Sequence, residues 1–189
     1  NELNQLEGEA GYFTETFCVQ SRFFQPKNGA RVDAIRNKIK ALKLDSVLES
    51  VMLVSLMEAA DRVDSTVGLQ MAYLKKWAPR AHNDLELRVP EILPRSPYGK
   101  GRAFNQDAID FVSQITVDLA YLDPPYNQHK YMANYHIWET LIRWDEPEYY
   151  GVACKRKDVR ERKSPYNSKR KALAAMTELI TAVQSRYLL

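Results

Sequence analysis

The sequence predicts an α/β protein in which a helical region precedes a parallel sheet. Three observations carry this. Apolar residues recur at helical spacing up to about Trp77. Residues 116–122 form a mostly apolar run rich in branched and aromatic side chains. A helix is expected on each side of that run, which is the order of a βα unit with a central strand. The bulk numbers agree. The chain has 189 residues, 45% of them hydrophobic and 27% charged, as in soluble globular domains. A chain of this length buries roughly 70% of the surface its unfolded form exposes. No apolar run approaches the ~18 residues of a membrane span, and no secretory signal opens the chain.

Taken in order, Tyr12, Phe13, Phe17, Phe23 and Phe24 form an aromatic cluster read as core. Gln25-Pro26-Lys27-Asn28-Gly29 reads as a turn. Val32, Ile35, Ile39 and Leu42 then mark a helix with Arg31, Arg36, Lys38 and Lys40 on its other faces. Ser46 and Glu49 have the spacing of a capping box. Residues 47–60 are apolar on nearly all sides, which predicts a buried helix. A further helix is expected over 69–77. Leu85, Leu87 and Val89 alternate with polar residues as in a short strand. Five prolines and glycines between Pro90 and Gly101 then make a loop. Its tip carries Lys100 and Arg102, read either as phosphate contacts or as an ordinary solvated loop. Residues 105–107 can cap a helix over 108–114. The boundary is drawn after Arg102: residues 1–102 as a helical region and 103–189 as an α/β segment.

The predicted strand runs into Asp123-Pro124-Pro125-Tyr126. Ligands of open α/β sheets bind beyond the carboxyl ends of strands, so the motif stands where chemistry is expected. Two prolines fix φ near −65° and remove two N–H donors, leaving a stiff corner that presents acceptors. The Asp123 carboxylate and the Pro124 carbonyl suit the hydrogens of an exocyclic amine. Drawing those hydrogens away frees a nitrogen lone pair otherwise delocalised into a ring, and the acceptors are preorganised. Tyr126 adds a face on which a base can stack. The alternative is a plain strand-ending turn.

On these residues the chain resembles the adenine-specific DNA methyltransferases of the DNA adenine methylase type. Asp123 to Tyr126 is the specific part; Phe23 to Asn28, the Asp107 segment and Asn134-Tyr135-His136 support it. The resemblance implies part of an S-adenosylmethionine-dependent methyltransferase sheet, Rossmann-like, with the helical region inserted before the motif strand. It implies methyl transfer to the N6 amine of an adenine flipped from double-stranded DNA, as in restriction–modification. It implies catalytic roles for Asp123, Pro124, Pro125 and Tyr126, cofactor contact at Asp107, and Tyr131 and Asn134 in the target-base pocket. The family's early Phe-x-Gly-x-Gly cofactor loop is missing; Gly8 and Gly11 follow no apolar strand. With Asn1 in place of a methionine and Tyr187-Leu188-Leu189 reading as a strand only begun, the chain reads as the middle of such an enzyme. A non-catalytic DNA-binding or specificity fragment is the other reading.

Residues 155–171 hold nine basic side chains against two acidic ones, in a chain of net charge only +3. Beside a base-modifying motif, Lys155, Arg156, Lys157, Arg160, Arg162, Lys163, Lys169, Arg170 and Lys171 read as phosphate contacts, which position a duplex without reading it. Pro165 and Tyr166 interrupt the run. Trp138, Leu141, Ile142 and Trp144 read as core. His136 and Glu139 have no third ligand in view, so no metal is expected. Two distant cysteines, Cys18 and Cys154, suggest a reducing cytoplasm. Nothing in the sequence indicates an oligomeric state.

Overall fold

The computed structural model describes residues 2–125 and 127–189. Its contacts divide the chain into two compact units, Asn1–Ile92 with Met132–Glu161, and Leu93–Tyr131 with Arg162–Leu189. A single cut after Arg102 therefore does not describe the chain. The helix pair after the motif belongs with the amino-terminal core, because its apolar residues, Ile137 and Leu141, are part of that core.

In the first unit, α1 (Tyr12–Thr14) continues as a π-helical turn (Glu15–Val19) and is followed by α2 (Pro26–Leu42) and α3 (Ser46–Asp61). Pro26 opens α2 instead of making a turn, since its fixed φ and missing N–H suit the first helical position. Gly29 follows within the helix, where a Cβ would collide with Cys18 Sγ. Asp33, 1% exposed, accepts hydrogen bonds from the backbone N–H of Gly11, Phe13 and Thr14 and from the Thr14 hydroxyl. These ties satisfy donors at the start of α1, which carries no cap of its own.

The expected capping box is replaced by Asp45. Its carboxylate accepts from Val47 N at 3.0 Å and Leu48 N at 3.1 Å, and its charge favours the helix N-terminus. Helix α3 is not buried all round: Val47, Leu48 and Val54 are exposed, while Ser55, Leu56, Ala59 and Ala60 face the core.

No helix covers 69–77. Side chains and distant backbone groups capture the bonds a helix would need. Thr66 Oγ1 donates to Asp64 Oδ2, Arg80 pairs with Asp64, Ser65 N donates to Phe23 O, and Gln70 N donates to Asn134 O. The Leu85–Val89 alternation likewise yields extended chain but no strand. Asn28 Oδ1 accepts from Leu85 N, and Asn4 bonds both backbone groups of Leu87, so side-chain amides replace a partner strand.

Phe13, Phe17, Phe23, Phe24, Ile35 and Leu56 centre the core, as the aromatic cluster predicts. Onto it pack α6 (His136–Arg143) and a short hairpin of β2 (Tyr149–Tyr150) and β3 (Lys155–Arg156). Leu141 is fully buried, Trp138 and Trp144 are half-buried against the core, and Ile142 is 39% exposed. Arg36 Nε and Nη2 donate to the carbonyls of Leu141 and Ile142, satisfying acceptors at the end of α6. Burial pulls the Arg36 guanidinium below its usual range.

The second unit holds α4 (Ala108–Val112), β1 (Thr116–Ala120), α7 (Ala172–Ala182) and β4 (Gln184–Leu188). Asp107 caps α4 by accepting from Ile109 N, as the sequence implies. Strands β1 and β4 pair in parallel with Thr116 opposite Gln184 and Ala120 opposite Leu188. The strand ends at Ala120, two residues short of the expected 116–122 span, with one further bond from Leu122 N to Leu189 O. The terminal apolar residues do form a strand. Burial differs from expectation: Leu119 is 52% exposed and Tyr187 57%, because β1 has one partner among the described residues. Val112, Ala175 and Leu179 are the buried apolar contacts of this unit, contributed by α4 and α7.

Candidate active site

Asp123-Pro124-Pro125 follows β1 at its carboxyl end, in the second unit. The Asp123 carboxylate is exposed and, among the described residues, makes no salt bridge. Pro124 and Pro125 are half-buried. Tyr126, expected to supply a stacking ring, lies outside the described residues. The three motif residues line a cavity of about 660 Å³. That is within the usual range of small-molecule sites. Asp107 lines the same cavity, so two residues singled out separately in the sequence are brought together.

The segment 163–166 closes another side and was noticed in the sequence only as an interruption of the basic run. Lys163, Ser164, Pro165 and Tyr166 all line the cavity. Ser164 caps the 3-10 turn Pro165–Asn167 by accepting from Tyr166 N. The Tyr166 hydroxyl donates to Ala175 O at 3.3 Å, and burial pushes its pKa up. Asn167 Nδ2 donates to Asn127 O at 2.8 Å and His129 O at 3.1 Å, and Asn127 Oδ1 accepts from His129 N. The loop leaving the motif is thus tied to this turn. Ser-Pro-Tyr-Asn inside a cationic run was the available signal: a capping Ser, a Pro at N1 and an amide able to bridge carbonyls.

Other expected site residues lie elsewhere. Tyr131, at the start of α5 (Tyr131–Asn134), is 46% exposed, and Asn134 is buried in the first unit. Neither lines the cavity. Lys100 and Arg102 are exposed, with the Arg102 guanidinium 5.2 Å from the Phe104 ring centre. The basic run divides between the units. Arg156 is 2% exposed, with Nη1 and Nη2 each 2.7 Å from an Asp145 oxygen and further bonds to Asp158. It is a buried structural ion pair, which corrects its reading as a phosphate contact. Lys155 is half-buried in β3. Lys157 bonds Glu148 at 2.7 Å, and Arg160 lies 3.8 Å over the Tyr150 ring. Arg162, Lys163, Lys169, Arg170 and Lys171 are exposed in the second unit.

His136 is fully buried against Phe17 and Phe23, with Nε2–H donating to Gln70 O at 3.0 Å. Burial pushes its pKa down to about 4, so it is a neutral core residue at neutral pH. Among the described residues no group of three or more His, Cys, Asp or Glu is placed to hold a metal ion, and no helix is long and apolar enough to cross a membrane.

The residues that follow the parallel strand β1, Asp123, Pro124 and Pro125, thus share one cavity with Asp107, the capping residue of α4, in a mixed helix and strand unit. Comparison with known proteins then makes the assignment specific. The family model of the D12 class N6 adenine-specific DNA methyltransferases matches residues 1–187, and the chain belongs to that family. It is 36% identical over 185 residues to the modification methylase StsI of Streptococcus sanguinis, covering 95% of this chain and 28% of the relative. It is 33% identical over 171 residues to the type II methyltransferase M.FokI of Planomicrobium okeanokoites, covering 88% and 26%. With M.NlaIII of Neisseria lactamica it shares 31% identity over 152 residues, covering 76% and 45%. The chain thus spans less than half the length of each of these curated relatives. No solved structure matches it.

Proposed function

We propose that this chain is the motif-bearing segment of an enzyme that methylates the N6 amine of adenine at specific sites in double-stranded DNA. By analogy with relatives named as modification methylases, its biological role is modification within a restriction–modification system. The observation that carries the reading is the convergence of Asp123, Pro124 and Asp107 on one cavity at the end of a parallel strand. The strand pair is read as part of a Rossmann-like sheet.

The adenine first leaves the duplex, which costs a few kcal/mol. Stacking on an aromatic face returns about 1–3 kcal/mol. Tyr126 by motif and Tyr166 by position are the candidate rings. Asp123 Oδ and the Pro124 carbonyl accept the two amine hydrogens, pulling the nitrogen toward tetrahedral geometry. Because the prolines hold the corner, little reorganisation accompanies the charge that develops on nitrogen. The exposed Asp123 carboxylate, free of an internal ion pair among the described residues, is available for this.

The cavity also fits the cofactor. Its apolar walls, from residues such as Ile109, Val117 and Leu179, suit an adenosine, and the Asp107 carboxylate suits that adenine's amine. S-adenosylmethionine, when bound, supplies an electrophilic methyl group. The chain's part is to hold the acceptor nitrogen in line and exclude water.

Methyl transfer to an adenine-containing duplex by the full-length protein tests the reading. Asp123→Ala and Asp123→Asn should each lower the single-turnover rate by at least about a hundredfold, the scale of losing one preorganised electrostatic group. Duplex affinity should change little. Wild-type rates in Asp123→Ala would refute the mechanism.

A further inference from the structure

Beside the cavity lies a second hollow of about 460 Å³, also wholly within the second unit. Lys130, Lys163 and Lys171 line it, together with Ser164, Asn167 and Ser168. No acidic side chain lines it among the described residues. Lys163, Ser164 and Pro165 belong to the walls of both hollows, so the two share a partition. Asn167, on the wall of the second, bonds the carbonyls of Asn127 and His129 in the loop that leaves the motif.

We propose that this second hollow seats one phosphodiester of the DNA backbone, the one next to the extruded nucleotide. The inference rests on the function proposed above and deepens it. The exposed ammonium groups of Lys163 and Lys171 at a concave site concentrate positive potential, and a phosphodiester is the anion a duplex supplies. The Ser164 and Ser168 hydroxyls and the Gln128 amide provide neutral donors besides. A nucleotide carries its base and its phosphate on one sugar, so a base site and a phosphate site must be neighbours. The shared partition of Lys163, Ser164 and Pro165 meets that requirement. The other exposed cations of the run, Arg162, Lys169 and Arg170, do not line the hollow. Phosphate contact is thereby narrowed from a charged surface to a seat that fixes the register of the strand.

The test is methylphosphonate scanning with the full-length protein. Neutral linkages replace single phosphates around the target adenine, and duplex affinity is read by anisotropy. Wild type should lose about tenfold or more at one position, the scale of lost charge-assisted bonds. Its salt slope should become shallower there by about 0.9. The Lys163→Gln/Lys171→Gln double variant should bind the unmodified duplex correspondingly weakly and show no further loss at that position. The charge-preserving Lys163→Arg/Lys171→Arg variant should regain the sensitivity. If the glutamine variant keeps the full wild-type drop at every position, the seat is overturned while the methyltransferase reading stands. A protein that binds and methylates no adenine duplex overturns both. If inorganic phosphate competes with duplex for wild type beyond its ionic strength, yet no single linkage matters, the hollow binds free phosphate and the proposal fails.

Discussion

Replacing Arg156 separates a structural cation from a DNA-contacting one. Its guanidinium is 2% exposed and makes paired 2.7 Å bonds to Asp145, two 3.1 Å bonds to Asp158 and a 3.3 Å bond to Thr140. Breaking a fully buried pair by deleting one partner costs about 3–5 kcal/mol. Here Asp145 and Asp158 have side chains 32% and 30% exposed, so water recovers part of their solvation. The expected loss for Arg156→Gln is therefore about 2–4 kcal/mol. At roughly 2–4 °C per kcal/mol for a domain of this size, Tm should fall by about 5–15 °C. Calorimetry and urea unfolding measure it.

A pH arm follows with a definite sign. The Arg156 hydrogen bond holds the Asp145 carboxyl below its usual range. That contribution is complete above the unfolded carboxyl value of about 3.9 and is lost as pH falls through the lower folded value. The variant should show a flatter acid limb. If Arg156→Gln melts with wild type, but binds duplex more weakly with a shallower salt slope, Arg156 faces phosphate and the buried-pair reasoning is wrong.

Two further outcomes are expected. His136 is buried and neutral, with its pKa pushed down to about 4. Such a histidine leaves stability unchanged above its unfolded value near 6.5, and as pH falls toward 4 the unfolded state alone takes up the proton, which removes about 3 kcal/mol in all. Urea midpoints at pH 7 and pH 4.5 should differ accordingly, and His136→Gln should flatten the difference; an equal slope in both proteins would contradict it. Asn167→Ala removes two hydrogen bonds to the post-motif loop, about 1–2 kcal/mol for exposed bonds. Single-turnover methyl transfer should slow by about tenfold while the unfolding midpoint of the first unit stays in place, and parallel losses in both would make the residue merely structural.

The motif was legible because its chemistry is local. Asp, two prolines and Tyr state their own stiffness and acceptor character, and the branched run before them states a strand. The aromatic core and α2 were legible through helical periodicity, and Asp107 through its place ahead of α4. The failures share one physical origin. At 69–77, helical propensity yielded to Asp64, Ser65 and Thr66, whose partners Arg80 and Phe23 come from elsewhere in the chain. At Leu85 to Val89, the strand pattern met the side-chain amides of Asn4 and Asn28 instead of a neighbouring strand.

By itself, then, the chain determined a stiff Asp-Pro-Pro corner at the end of a strand, since bond geometry and side-chain chemistry travel with the residue. Tertiary structure alone decided which charges face solvent. Arg156 and Lys163 are equivalent letters in a basic run, yet one is enclosed between two carboxylates and the other lines the cavity. Solvation and Coulomb energy depend on separations through space, and those exist only once the chain has folded.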